Sequence, residues 1–297
     1  TREDDFVEHL FIASSHDYIL FFTDRGKCYW RKVHQIPQVG RLSRGRAIVN
    51  LIECGAGEKV QAFVAVRDFD PEHYIIMATR KGLIKRTALS AYSNPRRGGI
   101  YAIDIQEGDE LIEARITTDE NDIIMGTRYG KAIRFNVSDA RPMGRKTRGV
   151  RGVRLAAEDD YVIGMMVVRR EGTVLVVTEH GYGKRTDILQ YRVQHRGGKG
   201  LITLKTTDKV GPMVALMEVV DTDDLMIVTD KGVLIRLPVQ DIRIIGRNTQ
   251  GVRVIRLDEG ARIASISRVV EEDEDDAAPT DGEAAAAPET NGQPDEA

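Results

Sequence analysis

Short apolar runs punctuate the chain at nearly even intervals, and each ends in the same polar turn. Five segments show it: "ILFFTDRGKCYWRKV", "IIMATRKGLIKRTAL", "IIMGTRYGKAIRFNV", "VLVVTEHGYGKRTDI" and "LMIVTDKGVLIRLPV". In each, a run of β-favouring residues reaches a Thr-x-x-Gly turn and is followed by a second run with basic residues in it. The turn glycines are Gly26, Gly82, Gly130, Gly181 and Gly232, spaced 56, 48, 51 and 51 residues apart. A glycine at that point supplies the left-handed residue that a tight hairpin loop needs. A second glycine recurs at Gly45, Gly99, Gly149, Gly200 and Gly251, separated from the first by 19, 17, 19, 19 and 19 residues. Another strand pair follows it, as in "IYAIDIQEGDELIEARI". Period-two alternation with regular turns, and no sustained helical periodicity, predicts about four strands per repeat.

Four-stranded units repeated at about fifty residues predict an all-β, propeller-type fold in which each sheet buries its faces against its neighbours. The Trp-Asp and Gly-His signatures of the commonest propellers are absent, as is a glycine doublet in each repeat. At the start of the chain, "DDFVEHLFIASS" reads as the last strand of a repeat whose first three strands are missing. Five repeats and an orphan strand at 5–15 therefore predict a six-bladed parent whose first blade is mostly truncated, in a fragment of a longer protein.

Charge divides the chain in two. Eleven of the 46 acidic residues and none of the 43 basic ones fall after residue 270, leaving residues 1–270 a net charge of about +8. The predicted organisation is a β domain over 1–270 and an acidic tail over 271–297. The tail carries no aromatic or β-branched aliphatic residue, cannot offset its ordering entropy by burial, and is expected to be disordered. Tethered to a basic body, it is expected to compete with a polyanion for the same surface at low salt. Two cysteines, Cys28 and Cys54, make no disulfide framework and favour a cytoplasmic setting; no apolar run reaches membrane-spanning length.

The segments leading to the second glycine concentrate basic residues: "PQVGRLSRGR" at 37–46, "SNPRRGGI" at 93–100, "RPMGRKTRGVRGVR" at 141–154, "VQHRGGKG" at 193–200 and "RIIGRNTQGVRVIR" at 243–256. Each joins two hairpins, so all are expected on one rim of the disc. Arginines supply forked, charge-assisted donors, and glycines let backbone amides come close to phosphate oxygens. A curved basic band of this kind suits the backbone of bent duplex DNA. Recognition would be independent of sequence and strongly salt-dependent, with no recognition helix and no aromatic stacking platform. The residues expected to touch DNA are Gln194, His195, Arg196, Gly197, Gly198, Lys199 and Gly200, together with Arg41, Arg44, Arg46, Arg96, Arg97, Arg145, Lys146, Arg148, Arg151, Lys184, Arg185 and Arg247.

Other chemistries fit poorly. "HRGGKG" departs from a phosphate-binding P-loop because Lys199 precedes Gly200 and a strand follows, while "GYGKRT" places Arg185 where a hydroxyl is required. His9, His16, His34, His73, His180 and His195 are scattered, and neither cysteine has a partner at ligand spacing, so no metal centre is expected. Asp109, Asp159 and Asp160 fall in hairpin turns, and Tyr182 and Tyr191 read as packing residues. No catalytic site is expected in this chain.

With these residues in view, the chain resembles the C-terminal DNA-wrapping domains of DNA gyrase A subunits across 1–270. "QHRGGKG" at 194–200 matches six of the seven positions of that family's box, Gln-Arg-Arg-Gly-Gly-Lys-Gly, with His195 in place of an arginine; "GRNTQGV" and "GYGKRT" are similar to its repeat segments. The family's principal box lies in the first blade, which this segment lacks; the one seen here falls in what would be the fifth. The resemblance implies a six-bladed β-pinwheel that wraps double-stranded DNA chirally around its rim, so that the holoenzyme introduces negative supercoils. It also implies a nucleoid-associated heterotetramer that contains the remainder of the gyrase A polypeptide together with gyrase B. The parent is then an ATP-dependent type II topoisomerase, with ATP and Mg used elsewhere and no cofactor in this domain. The related domain of topoisomerase IV, whose boxes are usually degenerate, and a propeller serving as a protein scaffold are the alternatives.

Overall fold

The computed structural model describes residues 13–37 and 47–270. The first repeat supplies β1 (Tyr18–Thr23), β2 (Lys27–Lys32) and β3 (Val60–Val66). The second supplies β4 (Tyr74–Thr79), β5 (Leu83–Ala88), β6 (Ile100–Tyr101) and β7 (Leu111–Thr117). From the third come β8 (Asp122–Thr127), β9 (Lys131–Asn136), β10 (Val150–Arg151) and β11 (Val162–Val167). The fourth gives β12 (Thr173–Thr178), β13 (Tyr182–Asp187), β14 (Leu201–Ile202) and β15 (Met213–Val219), and the fifth β16 (Asp223–Thr229), β17 (Leu234–Pro238), β18 (Val252–Arg253) and β19 (Ile263–Val270).

These strands form five antiparallel sheets, in the orders β3-β1-β2-β6, β7-β4-β5-β10, β11-β8-β9-β14, β15-β12-β13-β18 and β19-β16-β17. The short strand after each second glycine thus leaves its own repeat and completes the sheet before it. Two expectations are corrected. Five sheets, not six, are present among the described residues, and the orphan strand at 5–15 falls mostly outside them. The fifth sheet has three strands rather than four: among the described residues no strand pairs with the free edge of β17, and Val233 and Leu234 beside that edge stay about half exposed.

The apolar runs are continuous rather than alternating because the first strand of each inner sheet is buried on both faces. Ile75 and Met77 face Leu20 and Phe22 of the first sheet, while Ile76 and Ala78 face Ile123 and Met125 of the third. Ile124 then packs with Val174 and Val176, and Leu175 and Val177 with Leu225 and Ile227. Each of the larger aliphatic and aromatic side chains here, withdrawn from water, contributes about 1.5–3 kcal/mol, and the core is a chain of inter-sheet layers rather than one centre.

At the turns, the amide of Gly130 donates to the Thr127 carbonyl at 3.0 Å with φ at 78°, and its carbonyl accepts from Thr203 N at 2.8 Å. A side chain there would run into the Leu204 carbonyl, so this glycine both turns the hairpin and admits the exchanged strand. Asp109 and Asp160 serve the turns as expected: Asp109 accepts from the amides of Lys81 and Glu110, and Asp160 from those of Tyr129, Ala156 and Tyr161.

Candidate nucleic-acid interface

The basic segments take their place from strand exchange. The loop over 192–199 lies along β9, with Val193 bridged in parallel to Arg134 and Gln194 N donating to the Arg134 carbonyl at 2.8 Å. Pro142 over Arg86 and Ile244 over Arg185 repeat the arrangement on the second and fourth sheets. Gly200, at φ 69°, closes the loop against β9; an added Cβ would come within 2.6 Å of the Ala132 carbonyl. The 51-residue register makes Arg145, Arg196 and Arg247 equivalent, and Arg148 equivalent to Lys199.

Those equivalences sort the predicted contacts into two groups. Arg96, Arg97, Lys146, Arg148, Arg151, His195 and Lys199 are exposed. Lys199 has no hydrogen-bond or acidic partner among the described residues, Arg148 shares its charge with Asp104 at 3.2 Å, and Arg97 with Glu53 at 2.8 Å. Lys146 lies 5.9 Å from the Tyr101 ring centre. His195 projects fully into solvent, with Nδ1 3.9 Å from an Asp139 carboxylate oxygen.

Gln194, Arg145, Arg196 and Arg247 are half-buried. Arg196 donates from Nε to the Asp139 carbonyl at 2.9 Å and from Nη1 to the Arg151 carbonyl at 3.1 Å. Arg247 donates from Nη1 to the Ile202 carbonyl at 2.9 Å, and Ile202 is the counterpart of Arg151. Each of these arginines therefore straps its loop to the strand that closes the preceding one. Gly197 likewise spends its amide on the Gly152 carbonyl, at 2.6 Å, rather than leaving it for a phosphate.

Lys184 and Arg185 are corrected outright: both side chains are interior. Lys184 Nζ donates to the Gly246 carbonyl at 2.7 Å, to Thr249 Oγ1 at 3.0 Å and to the Arg247 carbonyl. Burial, and then the Arg247 charge, bring its pKa down to about 8. Arg185 donates to the Ile242 carbonyl at 2.8 Å and pairs with Asp221. Equivalent positions do the same work on other sheets: Arg134 reaches the carbonyls of Ile188 and Tyr191 and pairs with Asp122, and Trp30 Nε1 donates to the Tyr92 carbonyl at 2.8 Å. On the third and fourth hairpins the cation after the turn is thus a strap between repeats, and on the first Trp30 takes that role. Arg41, Arg44 and Arg46 lie outside the described residues.

Exposed cations missed by the motif are Arg141, Arg192 and Arg243, one at the head of each long loop, and Arg253, the counterpart of Arg151. The 51-residue spacing of 141, 192 and 243 is a signal present in the sequence, but these residues precede the glycine motif and stand apart from it. Among the described residues, no group of three His, Cys, Asp or Glu side chains gathers as a metal site.

The chain is 41% identical over 285 residues to the DNA gyrase A protein of Klebsiella oxytoca, covering 96% of this chain and 32% of that protein. It is 43% identical over 277 residues to the DNA gyrase A protein of Staphylococcus epidermidis, covering 92% and 31%. The chain therefore spans about a third of the length of these relatives. Among solved structures, a DNA gyrase A C-terminal domain superposes with a TM-score of 0.75 at 25% identity, over 87% of this chain and 84% of that one. The C-terminal domain of a DNA topoisomerase IV superposes at 0.79 with 24% identity, over 86% and 80%, a likeness of fold. The sequence also matches the family described as DNA gyrase C-terminal domain, beta-propeller, in five segments, 17–64, 73–118, 121–169, 172–217 and 223–269, which coincide with the five repeats. With that many repeats matched in order, the chain belongs to the DNA gyrase C-terminal domain family.

Proposed function

We propose that this domain binds duplex DNA without regard to sequence, bends it along the outer ends of successive sheets, and wraps it with one hand. The observation that carries this reading is the recurrence of exposed cations along the basic loops and the short strands that follow them: Arg96 and Arg97 on the first sheet, Lys146, Arg148 and Arg151 on the second, Lys199 on the third and Arg253 on the fourth. A row of solvated charges on rigid strand ends matches a row of phosphates, and neutralising phosphates releases counterions whatever the bases are. The buried straps keep the loops in register, so the path of the DNA is set by the protein rather than by flexible arms. In the parent protein, wrapping of this kind would present a DNA segment to a cleavage core and let a type II topoisomerase, assembled with gyrase B, introduce negative supercoils.

Duplex titration by gel shift tests the binding. Log affinity is expected to fall against log salt with a slope of roughly −5 to −7, as for five to eight neutralised phosphates. A slope near −1 refutes a rim-tracking mode. Relaxing circular DNA with a nicking–closing enzyme in the presence of the domain tests the handedness. A topoisomer distribution unchanged by the domain refutes chiral wrapping.

A further inference from the structure

The first sheet differs from the next three in what covers its second strand. On the second to fourth sheets the arriving loop pairs with that strand through Pro142, Val193 or Ile244. On the third sheet this takes eight residues, 192–199, between Tyr191 and Gly200. Over the first sheet only six, 93–98, run between Tyr92 and Gly99. The two tyrosines are equivalent: both are buried, and their carbonyls accept from Arg134 Nη1 at 3.3 Å and Trp30 Nε1 at 2.8 Å. The shortened segment makes no such bridge among the described residues, and at that place a cavity of about 500 Å³ opens.

Its walls join two chemistries around one enclosed space. Tyr18 and Trp30 supply aromatic surface, and Arg31, Lys32, Arg96 and Arg97 supply positive charge. Trp30 stands where the second to fourth sheets have Arg86, Arg134 and Arg185, and its bond to the Tyr92 carbonyl fixes the indole ring. One carboxylate, Glu53, also lines the cavity and is engaged by Arg97. Arg31 gives its Nε to the Leu51 carbonyl. Lys32, 5.3 Å from the Tyr18 ring centre, and Arg96 have no acidic partner among the described residues. A ligand for this space needs a flat π-system for the rings and a negative group for Lys32 and Arg96. The volume lies within the usual range for small-molecule sites.

We propose that this cavity binds a single nucleotide, its base against Trp30 and Tyr18 and its phosphate against Lys32 and Arg96. Aromatic stacking accepts any base, and the two cations select the phosphate. The nucleotide comes either from solution or from an unpaired position in a DNA strand. The site goes beyond the wrapping surface, and it stands whether or not the rim bends DNA.

Trp30 is the only tryptophan, so its fluorescence reads the site directly. The full chain is titrated with 2′-deoxyadenosine 5′-monophosphate, with inorganic phosphate at matched ionic strength, with a duplex carrying one unpaired adenine, and with the fully paired duplex. Saturable quenching by the mononucleotide, and not by inorganic phosphate, is the expected result. Quenching by the unpaired-base duplex beyond that of the paired one assigns the strand as source; its absence assigns the free nucleotide. Lys32→Ala with Arg96→Ala, both on exposed side chains, should weaken mononucleotide binding about tenfold or more with the circular dichroism unchanged. Inserting Gly-Ser after Ser93 restores the eight-residue spacing and should also suppress quenching. No saturable quenching by either nucleotide source, equal quenching by inorganic phosphate, or indifference to the double substitution overturns the proposal. Failure of the topoisomer test alone would leave it standing.

Discussion

Two rows of basic residues run around this domain and do opposite work. The inner row, on the second strand of the second, third and fourth hairpins, includes Lys85, Arg86, Arg134, Lys184 and Arg185. Its charges are spent on backbone carbonyls, most of them in the incoming loop, and on acids such as Asp122 and Asp221. The outer row, on the loops and the short strands that follow them, includes Arg96, Lys146, Arg148, Arg151 and Lys199 and stays in water. Residue type is the same in both. What separates them is whether the charge is already satisfied, because a buried cation stripped of its acceptors is costly while a solvated one is free to exchange ions.

The sharpest way to break this contrast is to truncate an inner cation. Arg185→Ala leaves the Ile242 carbonyl without its donor and Asp221 without its partner, and should cost about 3 kcal/mol in urea unfolding. DNA affinity of the folded fraction should hardly move. A stability change below about 0.5 kcal/mol would put Arg185 with the outer row.

Acidity separates the rows next. Lys85 is fully buried, donates to Thr87 Oγ1 and the Ala102 carbonyl, and faces the Arg145 charge. Burial chiefly, and Arg145 secondarily, bring its pKa down to about 7. Between that value and its unfolded value near 10.5, the unfolded chain binds more protons than the folded one. Stability from this group therefore rises with pH from about 7 upward, and the penalty is fully present below about 7. From about pH 7 to 9 the gain is about 2 kcal/mol. Thermal unfolding of Lys85→Met should lose that rise; the same slope in both proteins would refute the assignment. Lys184, brought down to about 8, acts in the same direction over a narrower window.

For the outer row, Arg148→Ala with Lys199→Ala should flatten the salt slope by about 2 and weaken duplex binding about tenfold near 0.1 M salt. Stability should stay within about 0.5 kcal/mol. An unchanged slope would remove these loops from the DNA path. Arg196→Ala, by contrast, should cost about 1–2 kcal/mol of stability through its two carbonyl bonds, whatever it does to binding. The smallest effect is expected at His195, whose imidazole is fully exposed. Arginine there adds a fixed charge, and a few-fold gain in affinity with a slope steeper by about 1 is the expected outcome. No gain in competition gel shifts would place position 195 off the path.

Much of the fold was legible in spacing. Gly26, Gly82, Gly130, Gly181 and Gly232 all adopt the left-handed conformation their turns require, and so do Gly99, Gly149, Gly200 and Gly251. The continuous runs of the first strands become intelligible once each is buried on both faces. The exchange of strands was harder to read, because Ile100–Tyr101 and its counterparts are two residues long and look alike whichever sheet they join. The site was legible as a region but not residue by residue. Lys184 and Lys199 are both lysines near glycines, and only the packing of the loop over β13 shows that the first is enclosed. The cavity beside Trp30 was signalled by the 17-residue spacing between Gly82 and Gly99. Its meaning depended on which sheet the shortened loop covers.

Exchange also imposes an order on the growing polypeptide. β2 ends at Lys32, yet the strand that completes its sheet begins at Ile100. At synthesis rates of about 5–20 residues per second, roughly 3 to 14 seconds separate the two from emergence to pairing. Throughout that interval the hydrogen-bonding edge of β2 is open, and the same wait recurs as each later hairpin appears. A nascent chain of this kind therefore matures one repeat behind the ribosome, and a pause in translation between two hairpins leaves the earlier one unfinished rather than the later one.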